Sequence, residues 1–281
     1  MKNAIKFYYN IDVDSLKQVS DKFVFYSSNS VFVFETVSDN KLSDYIYLLD
    51  SHYHSIIKNI NNDIFTIING LNYILLKVNS LIQSIKYSDL FYTVFYGYLD
   101  VGDRLKVLWE KRVDYTEYLV SQFGIKYSIL RRSFSYYDGL TETAIQLLGF
   151  VGKSIPVYLQ HYRIKKDLST IDYYDPLKII IDSRVRDISE YLKDCFFKGF
   201  DIYNMCVSYI DTLSFDEVIL FIARMIYPSY YYDLFDDIIN SSISEDKIND
   251  ILDKTILYED IIKSIYFYAR KKYMLPKVDW F

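Results

Sequence analysis

The chain has 281 residues, 51% hydrophobic and 25% charged, with a formal charge of −5 and a pI near 5.3. That length admits one large domain or two lobes around a sizeable core, and the composition excludes a disordered chain. The acidic balance argues against nonspecific binding to nucleic acid or to an anionic membrane surface.

Eight Gly and four Pro point to long regular elements joined by short turns. The 31 Tyr and 19 Phe contrast with alanine only at positions 4, 144, 223 and 269. Tyr, Phe, Ile, Asn and Lys share AT-rich codons, so this bias reads as genome composition rather than as a stacking surface. No uncharged apolar run has the length of a bilayer span, and Met1-Lys-Asn-Ala-Ile-Lys6 leads into no signal-type core. A cytoplasmic protein without membrane insertion is expected. Cys195 and Cys206 match no zinc spacing and read as two buried thiols.

In chain order, Phe23–Tyr26 and Val31–Phe34 flank a four-residue loop of turn formers, Ser27–Ser30, which predicts a β-hairpin. Apolar spacing from Leu42 through Tyr45, Leu49 and Tyr53 to Ile56 predicts a helix over 41–58. Ile64–Ile68, Asn69-Gly70 and Leu71–Val78 give the strongest hairpin signal, since both turn residues tolerate positive φ. These elements make residues 1–79 an N-terminal α+β lobe, with a hinge near 77–82. His52 and His54 lack a third ligand at metal spacing and read as ordinary surface histidines.

Residues 80–281 read as a helical C-terminal lobe. Asp103 is expected to cap a helix ending at Gly124, and Asp138 another ending at Gly149. Strands are expected at Ile155–Tyr158 and at Ile179–Ile181, the latter ending at Asp182. Helices should follow at about 186–198, 201–212, 215–227, 230–240, 245–255 and 258–272. Ser214-x-x-Glu217 is a capping box for the third. Of Tyr230-Tyr231-Tyr232, one or two rings should pack and one stay exposed as a possible partner contact.

The segment Leu159–Lys193 has the layout of a phosphotransferase catalytic region. An apolar run delivers His161-Tyr-Arg163-Ile, a second run ends in Asp182, and a helix follows. A working kinase needs an Asp in that loop to accept the substrate proton and a later Asp to hold Mg²⁺. Here Arg163 stands where the base belongs, and a guanidinium cannot accept a proton at neutral pH.

Particular stretches carry a closer likeness: Tyr137-Asp-Gly139-Leu-Thr-Glu142-Thr-Ala144, His161-Tyr-Arg163, Tyr174-Asp-Pro176, Asp182-Ser-Arg-Val-Arg186-Asp187-Ile-Ser-Glu190, Phe221-Ile-Ala223-Arg-Met-Ile-Tyr-Pro228 and Leu275-Pro276-Lys-Val-Asp-Trp280-Phe281. With them the chain resembles the spore-coat putative kinase family (YutH/CotS type), best from about residue 95 onward. The resemblance implies a two-lobed, protein-kinase-like (aminoglycoside-phosphotransferase-like) α+β fold. It further implies that His161 orients the loop, that Asp182 falls at the metal position, and that Asp187 caps the next helix or pairs with an arginine.

Other parts of the machinery are missing. There is no Gly-x-Gly-x-x-Gly, and Glu35 is the nearest charge where a phosphate-pairing Lys would stand. No Asn follows the His loop at second-metal spacing; Asp167 is the one candidate for a substitute base. Arg163, Arg184 and Arg186 beside Asp182 and Asp187 suggest an ion-pair cluster in place of the metal, with Arg184 the readiest to be a plain surface charge. Arg186 and Asp187 are therefore expected to be structural. The expected function is a pseudokinase acting as a binding or assembly module, with a coat or assembly protein as partner, in the cytoplasm or the spore coat. The alternative is an active Mg-ATP-dependent phosphotransferase acting on a small molecule or a protein. A third reading keeps nucleotide binding without turnover.

Overall fold

A computed structural model describes residues 1–19, 22–37, 54–78, 85–91, 93–168, 173, 178–240 and 242–278. Their contacts divide into two units, residues 1–94 with 167–180, and residues 95–166 with 181–281. The expected boundary at 79/80 falls among residues outside the description.

The first unit opens with α1 (Lys2–Tyr9), which turns Ile5 and Tyr9, one helical turn apart, into the core. Six strands follow: β1 (Ser15–Val19), β2 (Lys22–Ser27), β3 (Ser30–Thr36), β4 (His54–Ile57), β5 (Phe65–Ile68) and β6 (Leu71–Val78). The sheet runs β1-β2-β3-β6-β4, with β5 also on β6. Neither α1 nor β1 was signalled by the sequence reading. The Asn69-Gly70 hairpin forms as expected, with φ of 52° and 77° in a two-residue turn. The first hairpin is tighter than its four-residue loop suggested. Ser27 and Ser30 pair with each other, so Ser28 and Asn29, at φ 46° and 61°, make the whole turn.

The helix expected over 41–58 is corrected where it is described. His54–Ile57 form a strand zipped to Leu75–Val78, and the rest of that span lies outside the described residues. The open edge of β6 offers backbone partners that a helical periodicity cannot reveal. Phe25, Phe32, Phe34, Tyr73 and Leu75 then meet Ile5 and Tyr9 in one aromatic core. Phe34 stacks on Tyr73 at 4.8 Å, and the Tyr9 hydroxyl finds Thr66 Oγ1 at 2.8 Å. Glu35 is not a bare carboxylate: Lys22, its cross-strand partner, lies 3.2 Å away and both are buried.

In the second unit, residues Phe95–Leu99 form a strand, β7, in a stretch the sequence pattern assigned to helices. It pairs with β8 (Ile155–His161), and β9 (Ile179–Asp182), whose last two residues lie in this unit, completes a sheet of order β7-β8-β9. Among the described residues the unit also has the helices α2 (Val101–Phe123), α3 (Ser128–Leu148), α4 (Val185–Phe197), α5 (Tyr203–Ile210), α6 (Phe215–Ile226), α7 (Ser229–Ile239) and α9 (Thr255–Lys272). Residues 245–255 form a 3₁₀ turn, Glu245–Ile248, and a single short turn, α8 (Asn249–Leu252), rather than one helix.

Two caps differ from expectation. Asp100, not Asp103, caps α2, accepting from the Asp103 N–H at 3.0 Å. Asp138 lies inside α3, whose buried stripe Leu130, Tyr137, Leu140 and Ala144 runs straight through it. The first N–H groups of α3 are met instead by Glu245, at 2.6 and 3.0 Å from Ile129 and Leu130. The Ser214/Glu217 box is present. Helix α6 is buried on every side from Glu217 to Ile226, packed among α3, α4 and α9. Tyr231 and Tyr232 are buried and Tyr230 half-buried. Cys195 and Cys206 are buried thiols. Among the described residues no helix is long and apolar enough to cross a membrane.

Gly70 has open space where a Cβ would sit, so only its positive φ resists a side chain. Gly70→Ala should cost about 1–2 kcal/mol in urea unfolding. An unchanged midpoint would count against a turn that needs positive φ at Gly70.

Candidate functional site

The site is built where β8 and β9 end beside the start of α4. Strand β8 delivers Gln160 and His161 into the interior, and β9 does the same for Asp182. Helix α4 begins only a few residues later, so Arg186 and Asp187 stand in its first turn, close to the strand end that carries Asp182. All five side chains are buried.

Asp187 holds the loop. Its carboxylate accepts from the His161 backbone N–H at 2.9 Å and lies 2.6 Å from the ring Nδ1. Its own N–H donates to Gln160 Oε1 at 3.2 Å. The carboxylate is thus spent on His161 rather than on capping α4. Arg186 clips the same loop from the other side, donating to the carbonyls of His161 and Tyr162, both at 2.9 Å. Its third contact is Asp182 Oδ2 at 3.1 Å.

Asp182 is shared by two guanidinium groups. Arg224, from the middle of α6, reaches the same Oδ2 at 2.5 Å, while Oδ1 accepts the Ser183 N–H at 2.7 Å. Burial alone would raise the Asp182 pKa, but Arg224 and Arg186 together hold it below the usual carboxylate range. Burial, and after it the neighbouring Arg186, works against the Arg224 charge that Asp182 supports.

The arginines expected in one cluster are divided among different partners. Arg163 is locked in a two-pronged pair with Asp233 of α7, at 2.9 and 2.7 Å. Burial opposes its charge, yet Asp233 raises its pKa further above the arginine range. Arg184 pairs with Glu217, the capping-box glutamate, at 2.6 and 2.8 Å. Asp167 is exposed and belongs to the first unit. His52, Tyr174–Pro176 and Trp280–Phe281 lie outside the described residues.

A second buried pair borders the first. Lys193 sits 2.7 Å from Glu190 and also donates to Ser229 Oγ at 2.7 Å and the Arg224 carbonyl at 3.2 Å. The Glu190 carboxyl would be raised by burial, but Lys193, Arg186 and Arg163 bring it down to about 2. Arg224, Asp233, Glu190 and Lys193 were not singled out in the sequence. A signal existed for Arg224, the lone charge in the run Phe221-Ile-Ala-Arg-Met-Ile226, because such a helix buries every residue. Nothing local distinguishes Asp233 from its neighbours.

Two measurements bear on this network. Asp182→Asn would leave two buried guanidinium groups facing an amide, and about 3–5 kcal/mol of stability should be lost in urea unfolding. A loss too small to measure would mean that the pair is not buried. Glu190 has a folded pKa below its unfolded one, so its contribution is complete above the ordinary glutamate range. It disappears as pH falls from about 5 toward 2, roughly 3 kcal/mol in all. Glu190→Gln should flatten that part of the acid-unfolding profile.

Comparison with known proteins agrees with this architecture. An aminoglycoside phosphotransferase from Alicyclobacillus acidocaldarius superposes with a TM-score of 0.58 at 10% identity, over 97% of this chain and 96% of that one. An AMP-bound spectinomycin phosphotransferase gives a TM-score of 0.48 at 9% identity, over 94% of this chain and 96% of its own. The first likeness shows the fold, a two-lobed architecture with a strand-rich N-terminal region and a helical C-terminal region. The sequence matches no curated protein. Residues 100–265, more than half of the chain, match the family described as "spore coat putative kinase YutH", and the chain belongs to that family.

Proposed function

We propose that this chain is a kinase-fold binding or assembly module, working with a coat or assembly protein in the spore-coat setting that the family description names. One observation carries the reading. Arg163 stands where the resemblance puts the catalytic base, and Asp233 fixes it there through both prongs of its guanidinium. A group so held neither accepts a proton nor swings aside without leaving a carboxylate unpaired.

The state of Asp182 points the same way. A divalent ion in a phosphotransferase needs carboxylate oxygens facing it. Both Asp182 oxygens are engaged, and Arg186 and Arg224 already supply its countercharge. As arranged, the residues around Asp182 do not fit Mg²⁺. In the first unit, Lys22 is committed to Glu35 within the strand pair.

The second reading is an ATP- and Mg-dependent phosphotransferase acting on a small molecule or a protein. The kinase description of the family and the fold shared with an aminoglycoside phosphotransferase favour it. It requires Asp182 to exchange its arginines for a metal and a base from elsewhere, such as Asp167. Thermal unfolding with and without millimolar Mg·ATP separates the two. A ligand at a hundredfold excess over its Kd stabilises by about 3 kcal/mol. The module reading expects no shift in melting temperature. A Mg-dependent shift, with phosphoryl transfer abolished by Asp182→Asn, would overturn it.

A further inference from the structure

Beside the Asp182 network lies a cavity of about 280 Å³, formed wholly within the second unit. Four guanidinium groups line it: Arg112 of α2, Arg163, Arg186 and Arg224. Trp109 and Tyr227, stacked at 4.2 Å, form an aromatic wall.

The pairing of these charges is uneven. Arg112 has Asp236 at 2.8 Å, and Arg163 has Asp233 at 2.7 Å. Lys193 answers Glu190 at 2.7 Å. Among the described residues, Arg186 and Arg224 make their direct ion pairs to the same carboxylate, Asp182, on a single oxygen, while Glu190 acts on both from further away. Asp187, the other buried carboxylate nearby, is turned to His161. Two guanidinium groups in the cluster thus share one direct carboxylate contact. Arg224 is 4% exposed, and its Nε–H has no hydrogen-bond acceptor among the described residues. A buried donor left unmet is costly, and an unmet donor on a charged group more so.

We propose that this cavity binds a small organic monoanion, a carboxylate on an aromatic or otherwise planar body. The guanidinium groups would hold the carboxylate and the Trp109–Tyr227 wall would carry the body. Guanidinium forks match carboxylate geometry, and the indole and phenol rings offer a flat apolar surface. A single negative charge suits two guanidinium groups that share one direct carboxylate contact and leave an Nε–H unmet. A phosphate monoester carries nearly two charges at neutral pH and would meet the carboxylates of Glu190, Asp233 and Asp236 in the same lining. The proposal does not depend on whether the chain transfers phosphoryl groups.

The test is calorimetric titration of the full chain with benzoate, and with benzamide and phenyl phosphate for comparison. Benzoate should bind saturably, at least about tenfold more tightly than either of the others. Arg224 is buried and paired with Asp182, so the rim pair Arg112–Asp236, which is partly exposed, supplies the decisive variants. Arg112→Gln should weaken benzoate about tenfold, and Asp236→Asn should tighten it. Equal binding of benzoate and benzamide would overturn the anion site. Tighter binding of phenyl phosphate would overturn the monoanion assignment. Indifference of benzoate affinity to both rim variants would place binding elsewhere and overturn the proposal.

Discussion

The constraint on which the second unit turns is one buried carboxylate, Asp182, shared by arginines from two helices. An unpaired charge in that position would be prohibitive, so the end of β9, the first turn of α4 and the centre of α6 must arrive together. Arg186 extends the constraint to the His161 loop by donating to two of its carbonyls, while Asp187 holds the same loop by its N–H and imidazole. The loop that would carry catalysis in a kinase is thereby fixed from both sides. Such a network is weak evidence for net stability, because desolvation offsets much of the attraction, but it sharply penalises any other arrangement of these elements.

The same logic explains why arginine, and not lysine, recurs here. Arg186 reaches two carbonyls and a carboxylate at once, and Arg163 and Arg184 each close a two-pronged pair. A lysine ammonium offers no such planar fork. In the first unit a lysine is used instead, where Lys22 meets Glu35 across a strand pair at 3.2 Å. Aromatic side chains do the remaining work of both units. The Tyr137 and Tyr231 rings stack at 3.8 Å, and Tyr232 reaches Thr141 Oγ1 at 2.7 Å, so these buried tyrosines fill the core while their hydroxyls find partners.

Much of this was legible from local chemistry. Asn69-Gly70 announces its hairpin because both residues accept positive φ, and Ser214 with Glu217 announces the start of α6. The long apolar periodicities located α2, α4, α6 and α9 to within a few residues. Misreadings arose where a neighbour distant in sequence decided the outcome. His54–Ile57 became a strand because β6 had an edge to fill, and Phe95–Leu99 because β8 did. Asp138 resembled a cap, yet Glu245 serves the N-terminus of α3 from more than a hundred residues away.

The sequence by itself determined the Asn69-Gly70 hairpin, the main helices, the order of a His-containing segment, a strand-end Asp and a helix, and an arginine rather than a carboxylate at position 163. These follow from residue types and short-range spacing, which act through a few bonds of backbone. Only the tertiary structure decided which cation answers which anion. Arg163 went to Asp233, Arg184 to Glu217, and Arg224 to Asp182, across separations of 70, 33 and 42 residues. Charge pairing is set by distance and burial in space, and sequence spacing beyond a helical turn carries no information about either.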